Sequence, residues 1–223
     1  AVDLIVLHSI SLPPGVYGGD EVERLFTNRL DWDAHPYFQS IRGIEVSSHF
    51  FVRRDGRVLQ FVSTVRRAWH AGVSFWKGEE GVNHASIGIE IVNPGHEFGY
   101  RPFPQAQIAA VIALVADIRS RWQIDDNRIL GHSDVAPGRK VDPGELFPWK
   151  RLADAGLGLW PNAQAVARQQ AFFAANLPSI SWFQAQLAHL GYDTPQTQFL
   201  FFWNKRFGEI IAKSSQRLEG VGE

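Results

Sequence analysis

Short apolar runs, separated by polar and glycine-rich stretches, dominate the first 155 residues. The run at residues 4–7 is typical of a buried strand, and it ends at His8. A second strand is predicted at residues 86–93, before Pro94-Gly95. Two further runs flank Asp55-Gly56, a dipeptide that favours the tight turns joining antiparallel strands. This part of the chain therefore combines single strands with a β-hairpin.

The clearest helix is predicted at residues 104–122. Pro104 suits its first turn, and its apolar residues recur at helical spacing, which places them on one face. The apolar positions are Ile108, Val111, Ile112, Val115, Ile118 and Trp122. A short strand at residues 128–131 follows and leads to His132. Strands mixed with helices predict an α/β fold in which one mixed central β-sheet is flanked by helices.

The pattern changes at residues 156–161, beyond which only helical periodicity remains. Helices are predicted at residues 162–176, 179–190 and 197–213. We therefore expect two domains, one formed by residues 1–160 and a small all-α C-terminal module formed by residues 161–223.

Composition narrows the classes of function. The chain is 45% hydrophobic and 20% charged, which is typical of a globular protein. Its net charge of -1 provides no basic excess for binding nucleic acid. No apolar stretch approaches the roughly 18 residues that a membrane span requires. Because the chain contains no cysteine, any zinc ion must be held by His, Asp or Glu.

The segment that contains most candidate chemistry is the glycine- and proline-rich loop at residues 131–144. It contains His132, Lys140 and Asp142, and it follows a strand, as His8 ends one. Two histidines and a carboxylate can form a three-ligand zinc site with an open fourth position. The same residues also fit structural roles, because the chain lacks the His-Glu-x-x-His spacing of a helical zinc site. His49 and His70 are rival ligands, of which His49 better fits a structural role.

Four segments in a fixed order resemble a known family. They are residues 7–15 (LHSISLPPG), 67–72 (RAWHAG), 86–90 (SIGIE) and 131–144 (GHSDVAPGRKVDPG). Together they are similar to the N-acetylmuramoyl-L-alanine amidases of the type 2 amidase family, and the likeness covers residues 3–155. The resemblance implies zinc-dependent hydrolysis of the amide bond between N-acetylmuramic acid and L-alanine in peptidoglycan or in (anhydro)muropeptides.

The resemblance also implies a role for each site residue. His8, His132 and Asp142 would hold one zinc ion per chain, Glu90 would act as general base, and Lys140 would stabilise the transition state. These roles agree with general chemistry. Zinc held by two neutral histidines and one carboxylate keeps a net positive charge, and a nearby carboxylate and ammonium suit proton transfer and oxyanion stabilisation.

Three further residues are predicted to bind substrate. Trp69 and His70 would line a cleft for the sugar, although Trp69 also fits packing in the core. Arg139 would bind a carboxylate of the stem peptide in bidentate fashion, or would be solvated. The histidines without a motif are expected at the surface or in structural roles: His35, His84, His96 and His189.

The two ends of the chain favour different cellular locations. The first 70 residues resemble the cytosolic anhydromuropeptide amidases. Residues 187–192 and 202–207 resemble helices of the peptidoglycan-binding module in envelope amidases, whereas the aromatic residues 199–203 are expected in that module's core. The tail favours the periplasm or cell envelope, with the cytoplasm as the alternative. Two other functions stay open: peptidoglycan recognition without cleavage, and a zinc peptidase that cuts the stem peptide.

Overall fold

The computed structural model describes residues 2–194 of the chain. The predicted helix at residues 197–213, the module motif at residues 202–207 and the aromatic stretch at residues 199–203 lie outside the described residues. The Cα positions divide the chain into two compact units. The first comprises Ala1–Phe75 and Glu79–Ala163, and the second comprises Trp76–Gly78 and the chain from Gln164 onward.

Five strands of the first unit form one mixed sheet. The strands along the chain are β1 (Leu4–Ile10), β2 (Phe50–Val52), β3 (Val58–Gln60), β4 (Phe75–Trp76), β5 (Glu79–Glu80), β6 (Ser86–Val92) and β7 (Ile129–Gly131). The sheet order is β3-β2-β6-β1-β7, and β4 pairs with β5 separately. Strands β2, β6, β1 and β7 are parallel, whereas β3 pairs antiparallel to β2 as the predicted hairpin requires.

The helices of the first unit lie around this sheet. They are α1 (Glu21–Phe26), α2 (Pro36–Ser40), α3 (Gln105–Arg121), α4 (His132–Val135) and α5 (Trp149–Asp154). Because β1 and β6 are buried on both faces, their runs are apolar rather than alternating. The predicted α/β fold with a mixed central sheet is confirmed.

The two faces of the sheet carry different side chains. Ile5 and Leu7 of β1 pack in one hydrophobic cluster with Ile108 and Val111, so α3 covers this face through its predicted apolar stripe. Side chains alternate along a strand, and His8 therefore projects from the opposite face. Beside that face a second cluster joins α1, α2 and Phe51. The apolar packing thus leaves the polar residues of β1 and β6 together on the face away from α3.

The second unit contains the helices α6 (Ala163–Ala175) and α7 (Ile180–Leu190). The Ser179 side chain accepts a hydrogen bond from the Trp182 backbone N–H and so caps α7. Phe173 of α6 packs edge-on against Trp182 and Phe183 of α7. The described part of this unit is helical, as predicted, apart from the short segment Trp76–Gly78. Within residues 2–194, no helix is long and apolar enough to cross a lipid bilayer.

Candidate metal centre

The sheet register brings distant parts of the sequence to one site. His8 of β1 is the register partner of Glu90 in β6, so the two side chains share a face of the sheet. On the other side of β1, Leu7 pairs with Gly131, and His132 follows at once as the first residue of α4. The 131–144 loop then returns, since the Ser133 N–H donates to the Asp142 carbonyl oxygen at 2.9 Å.

The predicted ligands His8, His132 and Asp142 converge at this point. His8 Nδ1 lies 2.9 Å from His132 Nδ1, which in turn lies 3.1 Å from Asp142 Oδ2. His8 Nδ1 and Asp142 Oδ2 are 3.5 Å apart. Ligand atoms placed tetrahedrally at about 2.0–2.1 Å around zinc lie roughly 3.3 Å from one another. The spacing of these three atoms therefore fits a zinc ion, and among the described residues they form the group able to hold a metal.

The protonation of the histidines supports the same conclusion. His132 Nε2 lies 3.0 Å from the Ala71 carbonyl oxygen. A carbonyl only accepts, so Nε2 carries the proton and Nδ1 presents a lone pair to the Asp142 carboxylate. His8 is 1% exposed, and burial together with the charge of His132 lowers the pKa of His8 to about 4. Two nitrogen lone pairs and a carboxylate that face one another in a buried site repel each other. A divalent cation bound between them relieves this repulsion, so the three groups suit a metal ion.

Asp142 is held in its ionised form. Burial acts to raise its pKa, but the adjacent His132 and His8 rings, with whose protonated forms the carboxylate would pair, outweigh that effect and keep the pKa of Asp142 well below its ordinary value. The Ser9 backbone N–H also donates to Asp142 Oδ2 at 3.3 Å. The carboxylate is therefore both charged and fixed in place, as a metal ligand requires.

Glu90 is 7% exposed, and among the described residues its carboxyl group has no hydrogen-bond partner. Burial raises the pKa of Glu90 to about 8; Asp142 adds to the rise, and Lys140 opposes it. A carboxyl group whose pKa lies near neutral pH, beside a possible metal site, is suited to proton transfer. Lys140 is partly buried in the 131–144 loop and places its positive charge close enough to act on both Glu90 and His8.

His70 lies between His8 and Ser86. Its Nδ1 lies 2.9 Å from His8 Nε2, and its Nε2 lies 3.2 Å from Ser86 Oγ. Burial, followed by the charges of the other histidines, holds the pKa of His70 well below its ordinary value. Both ring nitrogens of His70 therefore have protein partners, and a contact of its ring with a sugar stays a prediction.

His49, the other rival ligand, is fully buried and lies outside the metal group. Its Nδ1 accepts a hydrogen bond from the Gly88 N–H at 3.0 Å, and its Nε2 lies 2.9 Å from the Arg66 carbonyl oxygen. The His49 side chain thereby links Gly88 of β6 to the backbone at Arg66. Burial lowers the pKa of His49. This is the structural role expected for it.

Trp69 lies at the surface and immediately precedes His70 in the chain. It is 55% exposed, and the Arg67 guanidinium carbon lies 5.2 Å from the centre of its ring. Its backbone is fixed to Ser47, whose Oγ accepts from the Trp69 N–H at 2.9 Å. The alternative of core packing does not apply to a side chain so exposed. A contact with a sugar ring stays a prediction, which this exposed aromatic face allows.

Arg139 is bonded to the backbone next to Trp69. Its Nη2 donates to the Ala71 and Val73 carbonyl oxygens at 2.5 and 2.6 Å, and its Nε donates to the Val73 oxygen at 3.1 Å. Nη1 is the nitrogen left for a ligand. The bidentate binding of a stem-peptide carboxylate by Arg139 stays a prediction, whereas its support of the 71–73 backbone is evident in the structure.

Two residues that hydrogen-bond to the 70–71 segment, Asn83 and Ser86, were not predicted from the sequence. Asn83 is buried, and its Oδ1 accepts from the backbone N–H groups of both His70 and Ala71, at 3.0 and 2.9 Å. Ser86, at the start of β6, is buried beneath His70. A signal was available in Gly88, because a glycine inside a buried strand often marks the close approach of another group.

Comparison with known proteins agrees with this geometry. The sequence profile of the family described as N-acetylmuramoyl-L-alanine amidase (Amidase_2) matches residues 1–145. The chain is 44% identical over 149 residues to the 1,6-anhydro-N-acetylmuramyl-L-alanine amidase AmpD of Enterobacter cloacae. That match covers 67% of this chain and 78% of AmpD.

Two solved structures match a larger part of the chain. AmpDh3 of Pseudomonas aeruginosa, in complex with anhydromuramic pentapeptide, is 28% identical with a TM-score of 0.70, and the match covers 88% of this chain and 76% of that one. AmiD of E. coli, in complex with anhydro-N-acetylmuramic acid-L-Ala-D-gamma-Glu-L-Lys, is 33% identical with a TM-score of 0.65, covering 88% and 74%. The chain belongs to the N-acetylmuramoyl-L-alanine amidase family.

Proposed function

We propose that this protein is a zinc-dependent amidase that hydrolyses the bond between N-acetylmuramic acid and L-alanine in muropeptides and peptidoglycan. The observation that carries the proposal is the convergence of three ligand atoms, on the buried His8 and His132 and the partly buried Asp142, beside Glu90. Bound zinc would supply Lewis-acid chemistry, which makes an amide carbonyl and a water molecule more reactive. The remaining chemistry falls to the side chains around the ligands.

Glu90 is the residue that would move the proton. Its carboxylate form takes a proton from the attacking water, and its buried environment then favours holding that proton until the leaving nitrogen of L-alanine accepts it. Lys140 would face the oxyanion that develops on the carbonyl oxygen, where a fixed positive charge lowers the energy of the transition state. Glu90 is the register partner of His8 without belonging to the ligand group, and the charge of Lys140 is close enough to act on His8.

The proposed substrate class rests on the family and on two surface residues. AmpD is an amidase of 1,6-anhydro-N-acetylmuramyl-L-alanine, and the AmpDh3 and AmiD structures hold anhydromuramyl peptides. In this chain the exposed ring of Trp69 would pack against the sugar, and Arg139 Nη1 would bind a carboxylate of the stem peptide. Hydrolysis of such compounds is a step of muropeptide recycling and of cell wall degradation.

The C-terminal helices support a further part of the proposal. The matches to AmpDh3 and AmiD extend over 88% of the chain, whereas the AmpD match covers 67%. We propose that residues 161–223 form a small peptidoglycan-binding module and that the enzyme acts in the periplasm or cell envelope. A weakly binding module raises the local concentration of an insoluble substrate around the catalytic domain.

One experiment separates the candidate reactions. The full-length protein is incubated with a muropeptide of defined structure, and the products are identified by mass spectrometry. An amidase releases the intact stem peptide and the free muramyl sugar, whereas a stem-peptide peptidase leaves L-alanine on the sugar, and a recognition protein leaves the substrate whole. A chelator should abolish cleavage and added zinc should restore it. Full turnover by metal-free protein would contradict the zinc-dependent reaction.

A further inference from the structure

Both metal-binding histidines find their outer hydrogen-bond partner in one short segment. His8 Nε2 lies 2.9 Å from His70 Nδ1, and His132 Nε2 lies 3.0 Å from the carbonyl oxygen of the next residue, Ala71. The buried Asn83 side chain holds this segment by accepting from both backbone N–H groups. His70 and Ala71, two consecutive residues, therefore contact the Nε2 atoms of both histidines, on the side of each ring away from the proposed metal.

A series of hydrogen bonds runs from His8 through His70 and Ser86 to the Val82 carbonyl oxygen. The direction of each bond follows from that last acceptor. Ser86 Oγ lies 2.7 Å from the Val82 carbonyl oxygen, and since a carbonyl only accepts, the hydroxyl proton of Ser86 points there. Ser86 Oγ must then accept from His70 Nε2–H. A neutral imidazole that donates from Nε2 accepts at Nδ1. This series of hydrogen bonds therefore leaves a lone pair on His70 Nδ1, which faces His8 Nε2.

We propose that His70 is a positioning residue for the metal ligand His8. By accepting a hydrogen bond from His8, His70 fixes the tautomer of His8 that has its proton on Nε2 and its lone pair on Nδ1. The proposal rests on the zinc-dependent function proposed above, since it concerns the affinity for that ion. It concerns the two ring nitrogens of His70 and is independent of the predicted contact of the ring with substrate. The Arg67–Gly72 motif would thereby serve the metal site through His70 and Ala71, and the sugar through Trp69.

The competing arrangement explains why such a device is useful. A proton on His8 Nδ1 would have two acceptors, His132 Nδ1 at 2.9 Å and Asp142 Oδ2 at 3.5 Å, whereas a proton on Nε2 has His70 Nδ1 at 2.9 Å. A proton on Nδ1 would block the nitrogen that faces the other two ligands and would have to leave before zinc binds. With His70 in place, that form would set the lone pair of His8 Nε2 against the lone pair of His70 Nδ1 at 2.9 Å, and this repulsion disfavours it.

The test uses two side chains of matched shape in the full-length protein. In His70→Asn, the amide oxygen can take the position of Nδ1 and accept from His8. In His70→Leu, a methyl group of similar size occupies that position and accepts nothing. Loss of an outer hydrogen-bond partner lowers metal affinity about 10-fold to 100-fold. We expect His70→Leu to show that loss, measured by competition with a fluorescent zinc chelator, and His70→Asn to retain most of the affinity.

A second measurement reads the tautomer directly. Nitrogen-15 NMR of the zinc-free proteins should place the His8 proton on Nε2 in the wild type and in His70→Asn, and move it to Nδ1 in His70→Leu. Ser86→Ala, which removes the acceptor of His70 Nε2–H, should shift the tautomer and the affinity in the same direction but less. The free energy of unfolding of each zinc-free variant is measured in parallel, so that loss of affinity through unfolding is recognised.

The outcomes distinguish this inference from the function on which it rests. A wild-type protein that binds no zinc would contradict the proposed function. A wild-type protein that binds zinc, with Leu and Asn variants of equal affinity and an unchanged His8 tautomer, would overturn the positioning role alone.

Discussion

Replacing Glu90 by glutamine tests the electrostatics of the site without using its activity. Burial and the charge of Asp142 raise the pKa of Glu90 from an ordinary 4.5 to about 8, against the opposing effect of Lys140. Between these two pH values the folded protein holds a proton that the unfolded chain has released. The free energy of unfolding must therefore fall as the pH rises through this interval, because the unfolded state binds fewer protons.

The size of the effect follows from the same two values. One unit of pKa difference corresponds to about 1.4 kcal/mol, so a gap of about 3.5 units corresponds to up to about 5 kcal/mol. Glutamine has nearly the same volume and does not ionise. Relative to the wild type, Glu90→Gln should therefore gain up to about 5 kcal/mol of stability between pH 4.5 and 8, with most of the gain between pH 5 and 8 and a plateau above.

The assay is urea unfolding of the zinc-free proteins at intervals from pH 5 to 9. His8, His70 and Asp142 also titrate differently in the folded and unfolded chains, but they are present in both proteins and largely cancel in the difference. Glu45→Gln, a change at an exposed carboxylate, serves as the matched control and should leave the pH dependence of the wild type in place. A difference between Glu90→Gln and wild type that does not change with pH would refute the reasoning.

Three further predictions concern the metal and the substrate. Asp142→Ala should lose zinc and activity together, because only two histidine ligands would remain; zinc content and turnover measured on one sample check this, and retained zinc would contradict it. Lys140→Ala should keep its zinc while kcat falls on the order of a hundredfold; near-normal kcat would argue against an oxyanion role. Trp69→Ala should raise KM for muropeptides roughly fivefold, equivalent to about 1 kcal/mol of lost ring packing, with kcat and stability little changed. A KM equal to that of the wild type would remove Trp69 from the substrate site.

The elements of the fold were predictable where the sequence pattern is long. Helix α3 is predictable because its apolar residues follow the helical period over 17 residues, and β1 and β6 are predictable because each contains a short buried apolar run bounded by polar or turn residues. Helix α1 ends at Phe26, shortly before Asn28, whose left-handed backbone with a φ of 55° cannot continue a right-handed helix. Helices α2 and α5 are too short for periodicity to reveal.

The geometry of the site was less predictable than its residues. The motifs identify His8 and His132, but the pairing of Leu7 with Gly131 that joins them is a contact between parallel strands far apart in sequence. Sequence also placed His70 beside Trp69 in a cleft, because neighbouring residues share a motif. In the structure the Trp69 ring is exposed, whereas both nitrogens of His70 bond to protein atoms. Which atoms a side chain has left for a ligand depends on its packing, and no local pattern encodes it.

Gly88 provides the last test, because a residue without a side chain here leaves room for His70 beside the proposed metal site. It lies within β6 and has no positive φ, so its backbone would accept alanine, but an added Cβ would lie 2.4 Å from His70 Cγ. Gly88→Ala must therefore displace the His70 ring, and we expect zinc affinity to fall about 10-fold to 100-fold, as for His70→Leu. In a His70→Ala background the obstructing ring is absent, so adding Gly88→Ala should lower the affinity little further. The four proteins are compared by zinc competition. Affinity losses that simply add in the double variant would mean that Gly88 acts on the site by a route other than His70.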